Sequence, residues 1–407
     1  MEKNYDLIII GAGIIGTSIL YHLYEEGFKG KTAVFDKEDA VGNFTTSLSA
    51  GAFRNIWSTD INMEMTNYSI KRFVEFEKEI GFPIGVHQHG YLFTYYKDNW
   101  DAIVEFKPRW DEKNVKAELL SPEEIERMVP GIKTRITDDD PEIIELLGIQ
   151  DIVGGLFGPD CGSFDPSAAA KGYVEMVLKK YSGVEMYLKK EVKRILFSNN
   201  KVEGIELLEG EKIFSPWVVL AAGPYSKKIL QDSGLEEEEN IPVEPIKRML
   251  FITNLPPIPG FEKIPLTIID KGIYFKIESG NLLVGRAKED QEPGFDMTPD
   301  INYYRDEINI YMQERIPGTE HCNVRSMWGG LYSVTIPDHN GILGKHPSKE
   351  GLFLAVGWSG HGAMVAPAVG KCTAELMIHG EYKTIDARPL CFERFKENKL
   401  IKETIVI

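Results

Sequence analysis

Gly11, Gly13 and Gly16 in GAGIIG, with Asp36 further on, have the residue types and spacing of a dinucleotide cradle. Gly11 allows a tight turn, Gly13 lets backbone approach a pyrophosphate, and Gly16 lets the following helix pack against the preceding strand. The helix N-terminus offers unpaired N–H groups and a positive dipole end to phosphate. Asp36, about twenty residues after the first glycine, suits the hydroxyls of an adenosine ribose. An acid there disfavours a 2′-phosphate, so NAD or FAD fits better than NADP. His87 and His89 have HxH spacing, which on a strand points both rings one way. No third ligand accompanies them, and no metal is expected.

The elements that must position these groups can be read from periodicity. DLIII (Asp6–Ile10) reads as a strand, the stretch to Leu23 as a helix, and Thr32–Phe35 as a second strand ending on Asp36. A helical pattern covers Asn62–Ile80, and a strand covers His89–Tyr96. Ser121 caps a helix opened by Pro122, with Glu124 completing a capping box. Asp165 and Pro166 open another helix in the same way. Strands follow in VEMYL, EVKRILF and KVEGIELLEG, and VVLAAG ends on the small residues Ala221, Ala222 and Gly223. Glu236–Asn240 reads as a solvated loop, and the chain from Ile241 to Trp328 as strand-rich, interrupted by a helix over Pro299–Arg315. GLFLAVGWSGHG is a buried strand entering a Gly-rich turn, followed by a helix. The expected fold is α/β with an α+β second domain. A discontinuous nucleotide-binding domain takes residues 1–85, 150–235 and 336–407; a β-sheet-rich substrate domain takes 86–149 and 236–335.

Composition excludes some partners. A formal net charge of −16 argues against nucleic acid, which needs a basic face. No apolar run is long enough to span a bilayer, and the N-terminal one lacks the flanks of a signal peptide. Cys161, Cys322, Cys372 and Cys391 are scattered without a CxxC pair, as reduced thiols in a cytoplasmic protein would be.

The second strand–Gly–helix unit, far from the first, resembles the FAD-dependent D-amino acid oxidase superfamily. Within it the chain is most similar to the branch of sarcosine oxidase, glycine oxidase and the dye-linked L-proline dehydrogenase β-subunit. The residues carrying the resemblance are GAGIIG, TTSLSAGAFR, HGYLF, GSFDPSAAA, VVLAAG, GIYFKIESGNLLVG, WGGLYSVTIPDHNGILG, GLFLAVGWSGHGAMVAPAVG and the tail FERF. The resemblance implies a Rossmann-like FAD domain of the glutathione-reductase type. Carried over, Gly11, Gly13, Ile15, Gly16, Asp36 and Lys37 would hold the ADP half. Thr45, Thr46, Ser49, Ala50 and Gly51 would run along the flavin and its phosphates. Val192 would meet adenine, with Ala222 and Gly223 over the ribose and pyrophosphate. Gly357, Gly360, His361, Gly362 and Ala363 would lie at the isoalloxazine. Gly330 stands where some oxidases link flavin through a cysteine, which implies noncovalent FAD. Met364 and Leu283 replace oxidase lysines, which implies a dehydrogenase.

Flavin oxidation of an amine needs little protein chemistry beyond positioning and tuning. Arg54 follows the flavin loop, and its planar fork suits a substrate carboxylate; as a structural arginine it would pair with an acid instead. Trp57 takes the place of a second arginine found in some relatives. Tyr274 and Tyr332 align with family tyrosines over the substrate, where a hydroxyl and a ring can hold a carboxylate and wall a pocket; otherwise they are strand tyrosines. His361 is expected to tune the flavin electrostatically. Arg248, Arg286 and Arg325 are further cations that the sequence does not rank. The expected activity is FAD-dependent oxidation of a small, secondary or N-methylated amino acid, with electrons passed to a carrier protein, quinone or oxygen. A 2-hydroxy acid or glycerol-phosphate dehydrogenase is the alternative, and a non-catalytic flavin-binding subunit of a complex another. Homo- and hetero-oligomers both stay open.

Overall fold

A computed structural model describes residues 4–136, 140–288 and 290–405. Leu7–Ile10 is buried along its whole length, as a continuous apolar strand covered on both faces must be. It lies inside a six-stranded sheet ordered Ile342–Lys345, Leu352–Val356, Val218–Leu220, Leu7–Ile10, Thr32–Phe35, Val184–Tyr187. All pairings are parallel except that of the first two strands. The helices Ile14–Glu25, Pro166–Lys180 and Gly362–His379 pack on it, and Ser18 Oγ donates to Ala366 O across two of them at 2.8 Å. A separate antiparallel sheet joins Val192–Ser198, Lys201–Leu207 and Lys212–Phe214.

The other large sheet has eight strands, ordered Val324–Thr335, Val243–Thr253, Asn281–Arg286, Tyr274–Glu278, Leu266–Ile268, Tyr91–Tyr95, Gly154–Gly158, Glu118–Leu120. Its register separates two faces. Leu92, Met249, Phe251, Phe275, Leu282 and Val284 belong to an apolar core shared with Tyr303, Tyr304, Ile308 and Met312. Tyr91, Leu266, Tyr274, Gly285, Leu250, Arg248, Gly330 and Tyr332 share the opposite face. Buried Arg315 bonds both oxygens of Asp270, at 2.8 and 2.6 Å, tying the last helical turn to a strand end.

Local chemistry places several elements where the sequence puts them. The Ser121 capping box is complete, and Asp165 Oδ1 accepts from Ala168 N at 3.0 Å. The helix expected from Asn62 starts at Asp60 and ends at Gly81 in the left-handed region. The helix expected over Pro299–Arg315 spans Ile301–Arg315, with a π-helical stretch over Arg305–Asn309.

Other expectations need correcting. Helix Lys97–Glu112 is invisible to periodicity, because only Ile103 and Trp110 are buried and Pro108 interrupts it. Trp110 Nε1 anchors it by donating to Trp57 O at 2.8 Å. The short helix Pro141–Leu147, capped by Asp140, has the same cryptic character. Gly154–Gly158 lies in a segment expected in the nucleotide-binding part, yet it pairs with Tyr91–Tyr95 in the large sheet. Glu239 is not a free loop acid, since both its oxygens take Lys349 Nζ. Among the described residues, no helix is long and apolar enough to cross a membrane.

Candidate active site

A cavity of about 1160 Å³ runs between the two large sheets, larger than the roughly 300–1,000 Å³ of ordinary small-ligand pockets. Gly11, Gly13, Ile15, Asp36, Lys37, Thr45, Thr46, Ser49 and Ala50 line one end. Gly11 has φ 110° and lies so close to the neighbouring strand that a Cβ would sit 2.3 Å from Ala221 O. Gly16 does not line the cavity; it packs the helix against the turn, with Gly11 O where its Cβ would be. Gly51, expected along the flavin, is also behind the wall, because its missing side chain admits Phe164 O.

The donor set of this end fits a dinucleotide. Ile14 N donates to Thr46 Oγ1 at 3.1 Å, fixing the loop against the helix start. The Asp36 carboxylate is oriented by Ala12 N at 2.6 Å and Glu38 N at 2.8 Å. Each oxygen keeps capacity for a ribose hydroxyl. Thr45 Oγ1 is buried without a hydrogen-bond partner. Val192, Ala222 and Gly223 face the same end, and Lys37 Nζ lies 3.7 Å from the Tyr225 ring centroid.

At the other end, Gly357, Gly360, His361, Gly362 and Ala363 meet the sheet face bearing Tyr91, Tyr274 and Tyr332. Gly360, at φ 90°, presses on Tyr332, whose ring would be 2.1 Å from a Cβ. Gly285 likewise leaves room for the Tyr274 ring. Burial raises both phenols above their ordinary range, so both remain protonated donors. His361 stands at the start of helix Gly362–His379, with Nε2 buried and unpartnered. Burial, reinforced by the Arg54 charge, pushes its imidazole down to about 4, so it is neutral at pH 7.

Arg54 lines the cavity, but its fork is engaged. Nη1 donates to Ile56 O at 2.5 Å, Nη2 donates to Ile405 O at 2.6 Å, and the guanidinium lies 3.5 Å from the Trp57 ring centroid. The expected carboxylate ligand therefore holds the C-terminal segment. Arg286 is also occupied, by Glu307 and Lys271 O, and Arg325 is exposed beside Asn281. Arg248 lines the cavity. His89 is used structurally, through Ser163 Oγ and Gly90 O.

Residues the sequence did not single out complete this end. Glu403 takes Ser58 N and Oγ on one oxygen and Thr59 N and Oγ1 on the other, so residues 400–403 form part of the wall. Arg394, in the FERF segment, bonds both oxygens of Asp338 and fixes the cavity-lining 338–340 loop. Tyr91 was legible as an alternating position of its strand, whereas Glu403 has no local signal.

A parallel nucleotide-binding sheet completed by a distant strand–turn–helix unit, roofed by a second sheet across a long cavity, defines a flavin-dependent oxidoreductase. A family model described as FAD dependent oxidoreductase (DAO) matches residues 6–376, and the chain belongs to that family. The FAD-dependent oxidoreductase domain-containing protein 1 of Xenopus laevis is 27% identical over 433 residues, covering 99% of this chain and 85% of the relative. Human mitochondrial sarcosine dehydrogenase is 24% identical over 93% of this chain but only 40% of its own length. The crystal structure of L-proline dehydrogenase from P. horikoshii is similar at 26% identity and TM-score 0.83, covering 98% of this chain and 100% of that one. Glycine oxidase from Geobacillus kaustophilus shares the fold at 21% identity and TM-score 0.78, covering 96% and 99%. FAD is the cofactor, and the Gly11–Gly13 turn, Asp36, the unpartnered Thr45 hydroxyl and the 357–363 turn form a site that fits it.

Proposed function

We propose that the protein oxidises the C–N bond of a small amino acid, secondary or N-methylated, and passes the electrons to a carrier rather than to oxygen. The observation that carries this reading is the chamber at the reactive end: buried tyrosines, an arginine and a neutral histidine around a space continuous with the FAD site. Bound FAD would supply the acceptor for the hydrogen and two electrons of the breaking α-C–H bond, while the nitrogen lone pair forms the C=N bond of a protonated imine, whose N–H proton then passes to water.

The side chains position and tune. The amine must be neutral to have a lone pair to donate, and a histidine with a pKa of about 4 does not take the proton of an alkylammonium, so the neutral amine must form without His361 as base. His361 instead offers a ring that can hydrogen-bond as a neutral group beside the flavin, with Arg54 supplying positive charge close by. Tyr274 and Tyr332 bound the substrate and donate hydrogen bonds. Arg54 acts on the pocket through the segment it holds.

A hydroxy acid would need a base for its hydroxyl proton, and the depressed pKa of His361 disfavours that alternative. Transfer to a carrier is supported by buried Leu283 and Met364 at the positions of the oxidase lysines. The strand neighbour Lys276 is bonded to Glu278 and does not line the cavity. Among the described residues no cysteine lines it either, in keeping with noncovalent FAD, and the four free thiols suit a cytoplasmic location.

Anaerobic mixing of the FAD-loaded protein with proline, sarcosine, glycine, lactate and glycerol 3-phosphate tests the reading. Bleaching of the flavin band by a secondary amino acid is expected. Bleaching by lactate or glycerol 3-phosphate alone, or by nothing, overturns it.

A further inference from the structure

Arg248 stands on strand Val243–Thr253 directly across from Gly330. Gly330 lines the cavity with Leu48 packed over it, a Cβ there lying 3.4 Å from Leu48 Cβ, and Tyr332 stands two residues further along that strand. The guanidinium carbon of Arg248 lies 5.4 Å from the Tyr332 ring centroid. Nη1 donates to Lys247 O at 3.0 Å, but Nε is buried and has no acceptor. Among the described residues no carboxylate pairs with Arg248, whereas both Nη atoms of Arg54 already donate to carbonyls and Arg286 donates to Glu307 and to carbonyls.

A guanidinium with a buried, unpartnered N–H bears a desolvation cost that a planar anion removes by a two-point contact. Tyr332, clamped between Arg248 and Gly360, is protonated and adds a third donor on the same side. We propose that Arg248, assisted by Tyr332, binds the substrate carboxylate, so that the enzyme requires a free α-carboxylate and Arg54 is not its ligand. The proposal rests on the reading of the chamber as a substrate site, and it names the group that selects the substrate class. An anchor on the sheet face also sets direction: the carboxylate lies on the sheet, and the α-carbon and nitrogen lie toward the 357–363 turn, where the flavin is expected.

The test uses FAD-loaded protein and propionate, followed by the change in flavin absorption, with propionamide as neutral isostere. Wild type is expected to bind propionate and not propionamide. Arg248→Gln should weaken propionate binding on the order of 100-fold, with FAD content unchanged. Arg248→Lys, which keeps charge but loses the fork, should weaken it roughly tenfold. Should Arg248→Gln fail to fold, Arg248→Lys and Tyr332→Phe carry the test, each with a loss of roughly tenfold. Propionate binding that is unchanged in these variants, or that is lost in Arg54→Lys but not in them, overturns the assignment, as does a wild type indifferent to propionate. If binding depends on Arg248 but no amino acid bleaches the flavin, the anchor stands and the proposed reaction falls. If an amino acid is oxidised with the same KM in Arg248→Gln, the reaction stands and the anchor falls.

Discussion

Replacing Glu403 by glutamine should detach the segment that closes the active-site wall. In the wild type, one carboxylate oxygen accepts from Ser58 N at 2.8 Å, Ser58 Oγ at 2.6 Å and Ile405 N at 2.9 Å. The other accepts from Thr59 N at 3.2 Å, Thr59 Oγ1 at 2.8 Å and Asn62 Nδ2 at 3.3 Å. Glutamine keeps one oxygen and turns an NH₂ toward the other set. A hydroxyl can rotate to accept from that NH₂; the two N–H donors of either set cannot. Leaving two donors without an acceptor costs about 2–6 kcal/mol if fully buried, and about 2 kcal/mol after discounting for partial exposure. That changes the docked-to-released ratio of residues 400–405 about thirtyfold. Arg54 loses its Ile405 acceptor at the same time. Hydrogen exchange at the Ile401 and Ile405 amides should accelerate by about that factor, and KM should rise while the global Tm moves little. The pH dependence adds a second check. Burial pushes the Glu403 carboxyl up, but hydrogen bonds from Ser58 and the charge of Arg54 outweigh it and hold it below its usual range. Its contribution is therefore complete above the unfolded value of 4.5 and is lost as pH falls through the depressed folded value. Glu403→Gln should lack this acid limb. Unchanged exchange at both amides would refute the reasoning.

Gly11→Ala should yield protein with little FAD, because a Cβ 2.3 Å from Ala221 O adds backbone displacement to a strained φ of 110°; full FAD content measured after gel filtration would contradict this. Gly360→Ala should displace the Tyr332 ring, and its FAD-loaded fraction should bind propionate roughly tenfold more weakly by spectral titration. Burial holds His22 and His361 both down to about 4 from an ordinary 6.5, so the folded state resists their protonation. Stability from each is complete above pH 6.5 and falls toward pH 4, by about 3 kcal/mol per group at full extent. The urea midpoint should drop between pH 7 and 5, and a flat midpoint would show that both rings charge freely in the folded state.

The nucleotide half was legible because its chemistry is local. Gly11, Gly13, Asp36 and the Asp165–Pro166 helix start each state their role within a few residues of chain. The substrate half was legible in composition but not in assignment. Arg54, Arg248, Arg286 and Arg325 look alike in sequence, and only cross-strand register and distant carbonyls distinguish them. Tyr274 and Tyr332 were found through resemblance, and both line the cavity. Glu403 was missed because its meaning lies wholly in Ser58, Thr59 and Asn62, far away in the chain. Helix Lys97–Glu112 was missed because tertiary burial of Trp110, rather than an apolar stripe, holds it in place.

The strand order of the nucleotide-binding sheet bears on biogenesis. Leu7–Ile10 needs Val218–Leu220 beside it, which is synthesised much later, and that strand in turn needs Leu352–Val356. The opening βαβ unit therefore emerges from the ribosome with one edge bare and waits until most of the chain has followed. During that wait its unpaired backbone edge and apolar faces are open to wrong partners and to chaperones. The FAD site joins the Gly11–Gly13 turn to the distant 357–363 turn, so the cofactor should stabilise the completed fold more than the nascent unit, and its supply should bear most on the last step of folding.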